Sequence, residues 1–260
     1  MRTSNIPPDA FVNFPSLGFK LIIMSTIPLL SLPATLVCAV LGDRLSLKDL
    51  VHLDSSICNR QNRTVFATTL QAKQFTLHSV ADISKSLVPW WLLRRGVKAS
   101  SIEFSATMVA ITVSEFLRLR ADSIREVHFN GSNMDREMSL VAVYCRNLRM
   151  VRCTGTILSN IFNDVLWCNP GIQDILCKKV TSSQLALFTG LNLDTLKTLC
   201  IDDAECKEGF PWSLSASSKS LEKIVLNYCS FNNDIMSLWT EACPNIKSLC
   251  ISRMSVVNST

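Results

Sequence analysis

The sequence predicts an α/β protein in which a solenoid of about seven repeats, each of 24–25 residues, follows a small module of three helices. Three observations support this prediction. An aliphatic phrase of the form Leu-x-x-Leu-x-Leu returns with its first positions 25, 24, 24, 24, 25 and 25 residues apart. Between the phrases, roughly fifteen residues carry apolar side chains at helical spacing. Residues 33–70 lack the phrase but also carry apolar side chains at helical spacing.

The repeat block begins with the phrase at Ala99. Its seven phrases are Ala99, Ile102, Phe104; Ile124, Val127, Phe129; Leu148, Val151, Cys153; Ile172, Ile175, Cys177; Leu196, Leu199, Ile201; Leu221, Ile224, Leu226; and Ile246, Leu249, Ile251. A period of 24–25 residues lies within the window of leucine-rich repeats. The turns at Cys145-Arg146-Asn147 and Cys243-Pro244-Asn245 resemble the cysteine-containing class of these repeats. The resemblance implies stacked repeats, with parallel strands on a concave face and helices on a convex face.

The N-terminal module is predicted to hold three short amphipathic helices. Pro33 suits the first turn of a helix that ends near Gly42. Ser46 is placed to cap a second helix, which carries Leu50 on its apolar face, and a third helix holds Phe66. The chain is therefore divided into a poorly ordered tail (1–24), this module (25–70), a helical junction that caps the solenoid (71–96) and the repeats (97–260).

The order of residues in this module resembles the F-box family. The matching residues are Leu32-Pro33, Val40-Leu41, Leu45, Asp49-Leu50 and Ile57-Cys58-Asn59-Arg60. One extra residue precedes Leu45, another precedes Cys58, and the tryptophan that often follows the cysteine is absent. The resemblance implies docking on a Skp-type adaptor of a cullin-RING ubiquitin ligase, ahead of repeats that bind a protein substrate. The implied docking residues are Leu32, Pro33, Val40, Leu41, Leu50 and Ile57. A plain helical cap or a repeat scaffold unrelated to ubiquitin transfer is the alternative.

The junction contains two adjacent indoles, Trp90 and Trp91, followed by Arg94, Arg95 and Gly96. Because the end of a solenoid needs a cap, we expect both indoles to seal the first repeat. The alternative is that they form a binding patch. The two arginines suit a helix C-terminus, and Gly96 is placed to end that helix.

Partner recognition is expected in the strand residues that point away from the core. The candidates are Arg125, His128, Arg149, Arg152, Leu176, Lys178, Lys197 and Val225. One column through the repeats reads Glu103, His128, Arg152, Leu176, Cys200, Val225 and Cys250, which changes from basic to apolar. We expect a protein partner that combines an acidic or phosphorylated segment with an apolar end. The alternative is a solvated face without a partner.

Catalytic signatures are missing from the sequence, so an enzyme is not expected. Only three histidines occur, and none has a second ligand-type residue at metal spacing. The sequence also lacks a Gly-rich phosphate loop and the Gly-x-Ser-x-Gly pattern of a nucleophile elbow. We therefore expect no catalytic residues, no cofactor and no metal. The 26 basic and 21 acidic residues are interspersed, so a net charge of +5 does not favour nucleic acid as a partner.

Eleven cysteines without a Cys-x-x-Cys motif predict a reducing compartment, and hence a cytoplasmic or nuclear protein. The apolar stretch 17–41 contains Lys20, Pro28 and Pro33, so neither a membrane span nor a signal segment is expected. The sequence ends soon after the last phrase. No helix follows to cap the last strand, and an uncapped solenoid end exposes apolar surface, so we expect either a missing C-terminal piece or a partner on that edge.

Overall fold

The computed structural model describes residues 30, 32–57, 60–81, 83, 87–105, 111–155, 161–181, 194–205, 219–228, 230–231, 243–252 and 255–256. The chain divides into two compact units, Met1–Leu77 and His78–Thr260. The predicted tail, 1–24, lies outside the described residues, as do residues 82 and 84–86 of the predicted junction.

The first unit contains three helices, α1 (Ala34–Arg44), α2 (Leu47–Ser56) and α3 (Arg60–Gln71). Helix α1 starts on the carbonyl of Pro33, which accepts from the amides of Leu36 and Val37 at 2.9 and 3.1 Å. The predicted cap on α2 is confirmed. The Asp49 amide donates to Ser46 Oγ at 3.2 Å, and the Ser46 amide donates to Asp49 Oδ2 at 3.1 Å. This reciprocal pair satisfies two amides that a helix start would otherwise leave without partners.

The second unit is organised around an eight-stranded sheet. Its strands are, in spatial order, β1 (Leu77–Val80), β2 (Ala99–Phe104), β3 (Glu126–Phe129), β4 (Met150–Cys153), β5 (Asp174–Thr181), β6 (Thr198–Glu205), β7 (Lys223–Asn227) and β9 (Ser248–Ser252). A second, two-stranded parallel sheet joins β8 (Ser230–Phe231) to β10 (Ser255–Val256). The described helices of this unit are α4 (Leu87–Arg95), α5 (Ile111–Arg120), α6 (Asp135–Tyr144) and α7 (Ile161–Trp167), with a 3₁₀ turn at Ala121–Ser123.

The seven phrases pair with one another in a single parallel register. Their middle residues form a continuous row, Ile102, Val127, Val151, Ile175, Leu199, Ile224 and Leu249, in which each is the partner of the next. The predicted α/β class and the parallel strands are therefore confirmed. Six of these residues are buried, whereas Leu249 on the last strand of the sheet is 40% exposed. The aliphatic residues therefore recur with the period at which the strand residues are buried.

Backbone hydrogen bonds just before the strands repeat with the same period. The amide of Arg149 donates to the carbonyl of Arg125, that of Gln173 to Arg149, and that of Lys197 to Gln173, each at 2.7 Å. Side chains add a second connection. Asn169 is 1% exposed, and its amide group donates to the carbonyls of Val165 at 2.8 Å and Cys145 at 3.0 Å. These bonds join each repeat to the one before it.

The two indoles of the junction lie in different environments on α4. Trp91 is buried, but Trp90 is 47% exposed, and the Arg94 guanidinium carbon lies 5.0 Å from the centroid of its ring. An exposed cation–π contact of this kind contributes about 0.5–1 kcal/mol. The predicted seal over the first repeat needs both indoles. Trp91 is buried, as such a seal requires, but Trp90 is not.

Helix α6 carries a buried carboxyl group that destabilises the fold when ionised. Glu137 is 1% exposed, and neither of its carboxylate oxygens has a hydrogen-bond partner among the residues that the structure describes. Burial raises the pKa of Glu137 above 4.5, although its own backbone amide and Arg136 act in the opposite direction. Because the pKa in the folded protein is higher than in the unfolded chain, stability falls as the pH rises above the unfolded value.

Replacing Glu137 by glutamine should therefore stabilise the protein at about pH 8, and by much less at about pH 4, where the native carboxyl is largely neutral. Urea unfolding midpoints at the two pH values measure the difference. Glu115→Gln, at an exposed site on α5, is the matched control and should show no such pH-dependent gain. Equal midpoints for Glu137→Gln and the wild type at the higher pH would contradict the prediction.

Candidate functional site on the open face of the sheet

One face of the large sheet turns away from the buried core. Along β3, Val127 and Phe129 are buried, whereas Glu126 and His128, which alternate with them, are half-buried, and β4 repeats this alternation. Successive side chains of a strand point to opposite faces, so the half-buried set defines one surface. We call this surface the open face.

The centre of the open face is a single row that crosses seven strands. The register pairs Glu103 with His128, His128 with Arg152, Arg152 with Leu176, Leu176 with Cys200, Cys200 with Val225, and Val225 with Cys250. We call this row the central file. Neighbouring strands lie about 4.8 Å apart, so consecutive members of the central file are close enough to contact one ligand together.

Charged groups cluster at one end of the central file. His128 Nε2 and Arg152 Nε are both shielded from solvent and have no hydrogen-bond partner among the described residues. Burial and the nearby positive charge of Arg152 lower the pKa of His128 below 6.5, while Glu126 and Glu103 act in the opposite direction. The imidazole and the guanidinium are therefore close together, with carboxylates on two sides.

A series of side-chain hydrogen bonds beside these groups holds the Glu103 carboxylate. Asn130 Nδ2 donates to Glu103 Oε1 at 3.1 Å, and Thr154 Oγ1 donates to Asn130 Oδ1 at 2.8 Å. This series crosses β2 and the ends of β3 and β4. Glu103 is thus directed toward Asn130, and it is not the ion-pair partner of Arg152.

Three of the predicted basic residues lie just before the strands and not in the central file. They are Arg125, Arg149 and Lys197, whose backbones form the hydrogen-bonded series described above. The Arg125 guanidinium donates to the carbonyls of Asp122 at 2.7 Å and Ile124 at 3.2 Å, so it is bound to its own turn. Arg149 and Lys197 are exposed. In the aliphatic phrase these residues follow the first aliphatic position, whereas His128 and Arg152 lie between the second and the third.

The other end of the central file is apolar. Leu176, Cys200 and Val225 are half-buried, and Cys250 is exposed. Next to it, Lys178 Nζ lies 3.9 Å from Asp202 Oδ2 on the neighbouring strand. Both side chains are exposed enough for solvent to screen this pair, so it adds little stability. The file therefore offers a charged half and an apolar half within one row.

The candidate docking residues of the first unit fall into two groups. Leu41 and Leu50 are fully buried. Pro33 is exposed, and Leu32, Val40 and Ile57 are half-buried. Three apolar residues that are not among these candidates, Leu36, Val51 and Val65, are also exposed on this unit. The helical pattern predicted where the helices lie, but it could not distinguish core residues from surface residues.

The buried thiols are unsuited to nucleophilic chemistry. Burial raises the pKa of Cys145 to about 12 and raises the pKa values of Cys153 and Cys177 as well. A thiol acts as a nucleophile in its thiolate form, which these surroundings disfavour. In the described ranges, no group of three or more His, Cys, Asp or Glu side chains could hold a metal ion. Nor does any helix there have the length and apolarity needed to cross a membrane.

Comparisons with known proteins give no assignment for the open face or for the first unit. No protein-family model matches the sequence, and the comparison with curated proteins finds no match. The site must therefore be interpreted from its own residues.

Proposed function

We propose that this protein is a non-catalytic substrate-recognition adaptor. Its repeats would form a leucine-rich-repeat solenoid whose open face binds a protein substrate. Its first unit would be an F-box-like module that docks on a Skp-type adaptor of a cullin-RING ubiquitin ligase. The observation that carries the proposal is the register, in which one strand per 24–25 residues continues a single row of side chains across seven phrases.

Several features support a repeat architecture. Stacked repeats bury a continuous core through contacts between neighbours alone. Phe104 and Phe129 illustrate this packing, since their rings stack with centroids 5.6 Å apart and planes inclined by 9°. Cys153 and Cys177 pair at the same position two strands further along and are both buried. This position thus changes from rings to small cysteines and then to aliphatic side chains, and it stays apolar throughout.

Apolar side chains on the surface of the first unit support docking on an adaptor. Pro33 is exposed beside half-buried Leu32, and Val40 and Leu36 place further apolar surface on α1. The fully buried Leu41 and Leu50 would support this surface by packing and would not contact the adaptor. Those same buried residues would also be found in a plain helical cap. A leucine-rich-repeat interaction scaffold without a role in ubiquitin transfer is therefore the second candidate.

The substrate would be a protein with an anionic segment and an apolar segment. His128, Arg149 and Arg152 would meet the first, and Leu176 and Val225 would meet the second. The Glu103, Glu126 and Asp174 carboxylates on the same face disfavour a long polyanion, so nucleic acid is not proposed as a partner. The chemistry of the face thus favours one localised negative group.

The double substitution Leu32→Ala, Pro33→Ala should weaken capture of a purified Skp-type adaptor by about tenfold or more, because two apolar contacts would be removed from the docking surface. Alanine keeps the backbone carbonyl on which α1 starts, so the helices should still form. A titration of labelled adaptor against wild-type and variant full-length chains measures the loss, and circular dichroism checks the fold.

Val65→Ala is the matched control, because Val65 is exposed on α3 and is not among the docking candidates. It should leave the affinity for the adaptor unchanged. If the wild type does not bind the adaptor, the ubiquitin-ligase proposal fails and the scaffold proposal remains. If both variants bind as well as the wild type, the docking surface lies elsewhere.

A further inference from the structure

We propose that His128 and Arg152 together form an oxyanion seat, which receives one phosphate or carboxylate group from an extended segment of the substrate. The inference rests on the proposed function only in taking the substrate to be a protein. It adds a site, the chemical group that fills it, and the spacing between that group and the apolar contacts.

Two adjacent side chains have unused hydrogen-bonding capacity. His128 and Arg152 are direct partners in the parallel register. Their Nε2 and Nε atoms are withdrawn from solvent and have no partners in the described part of the chain. Buried polar atoms are nearly always hydrogen-bonded in folded proteins, and each exception calls for an explanation. Because both nitrogens are withdrawn from solvent, the two side chains must turn apart to admit a ligand oxygen, which would then give both nitrogens a partner.

The positive charge of Arg152 beside His128 favours an anion between the two side chains. Arg152 lies near enough to lower the pKa of His128, which means that the two groups would repel each other if both were charged. An oxyanion placed between them would remove this repulsion and form charge-assisted hydrogen bonds. The groups that face His128 from neighbouring strands are Glu103 on β2 and Arg152 on β4, and Glu126 lies on its own strand. The two carboxylates act on His128 as well, so they oppose a bound anion and limit the seat to one localised negative group.

The central file also fixes a spacing for the ligand. From Arg152 the file continues through Leu176 and Cys200 to Val225, three strand spacings away, or about 14 Å at roughly 4.8 Å per strand. An extended peptide rises about 3.3 Å per residue, so about four residues span this distance. A segment whose anionic residue occupies the seat would place an apolar side chain four positions away against Val225.

The direct test titrates the full-length chain with inorganic phosphate, with acetate, and with sodium chloride at matched ionic strength, while NMR follows the imidazole resonances. The protein has three histidines, and His52 and His78 are exposed. We expect a saturable shift of the His128 resonance and a higher His128 pKa with phosphate or acetate, while the other two histidines respond as they do to chloride. The stronger of the two anions identifies a phosphorylated or an acidic segment as the ligand.

Arg152→Gln should raise the His128 pKa on its own, because a nearby positive charge is lost, and should weaken the anion response by about tenfold or more. Arg118→Gln is the matched control, because Arg118 is an exposed arginine on α5 outside the open face, and it should retain the response. The proposal is overturned if His128 responds to both anions no more than to chloride, or if Arg152→Gln keeps the full response. The adaptor takes no part in these measurements, so failure of adaptor docking would leave their outcome unchanged.

The spacing has its own test with two labelled pentapeptides, phosphoserine-Gly-Ser-Gly-Leu and phosphoserine-Leu-Gly-Ser-Gly. Fluorescence anisotropy should show tighter binding of the first peptide, whose leucine lies four positions from the phosphate. Val225→Asp should remove this preference and leave the response to inorganic phosphate unchanged. Equal binding of both peptides to the wild type would refute the predicted spacing.

Discussion

Alanine at Gly155 should destabilise the protein by about 3 kcal/mol or more, at or beyond the usual cost of overpacking. A Cβ atom at this position would overlap the carbonyl group of Gly131 and lie 3.0 Å from the amide nitrogen of Ser132. All of these are backbone atoms, so no side chain can rotate away to relieve the clash. Thermal or urea unfolding of the variant measures the loss.

The close approach has a structural cause. The amide of Asn130 donates to the carbonyl of Phe104 at 2.7 Å, and that of Thr154 donates to Phe129 at 2.9 Å. These bonds continue the pairing beyond the ends of β3 and β4, and they bring the loop at Gly155 against the loop at Gly131, one repeat earlier. Only a residue without a side chain fits at the contact.

Gly171→Ala is the matched control, because a Cβ atom there would meet nothing within 4 Å. Its effect should stay within about 0.5 kcal/mol, as for most unconstrained surface sites. Similar unfolding midpoints for the two alanine variants would mean that the loops can separate without cost, and the argument for close packing would then fail.

The sequence could predict the pairing of the strands but not the contacts between the loops that follow them. The spacing of Val127, Val151 and Ile175 was enough to place them in one row, because burial repeats with the period of the strands. The proximity of Gly131 and Gly155 was not predictable. Both glycines are visible in the sequence 24 residues apart, but their contact depends on how the loops bend after the strands.

The candidate site shows the same limit for charged residues. The central file was predictable, since register follows from the aliphatic pattern. The hydrogen-bond partners of each arginine on the open face were not predictable, because a long side chain can reach several partners. Arg125 binds the carbonyls of its own turn, whereas Arg152 one repeat later keeps an unpartnered nitrogen beside His128. Arginines at different positions of neighbouring phrases thus have different surroundings.

Asn169→Ala should destabilise the protein by roughly 3–5 kcal/mol, since it removes three hydrogen bonds at a buried site and leaves their backbone partners unsatisfied. Besides its two donated bonds, Asn169 accepts at Oδ1 from the amide of Leu148 at 3.0 Å. Its side chain therefore joins the end of α7 to the turn that follows α6 and to the first residue of a phrase. Chemical denaturation measures the loss, and Asn147→Ala, at an exposed asparagine in that turn, is the matched control.

Asn169→Asp separates hydrogen bonding from simple loss of volume. A carboxylate keeps an acceptor for the Leu148 amide but faces the carbonyls of Cys145 and Val165, to which it cannot donate. Burial and these two carbonyls should raise the pKa of the introduced acid, so its protonated form is favoured in the folded state. The variant should then regain stability relative to the wild type as the pH falls, because a protonated carboxyl can donate one of the two lost bonds. A deficit that does not change with pH would show that the shape of Asn169, and not its donors, connects the repeats.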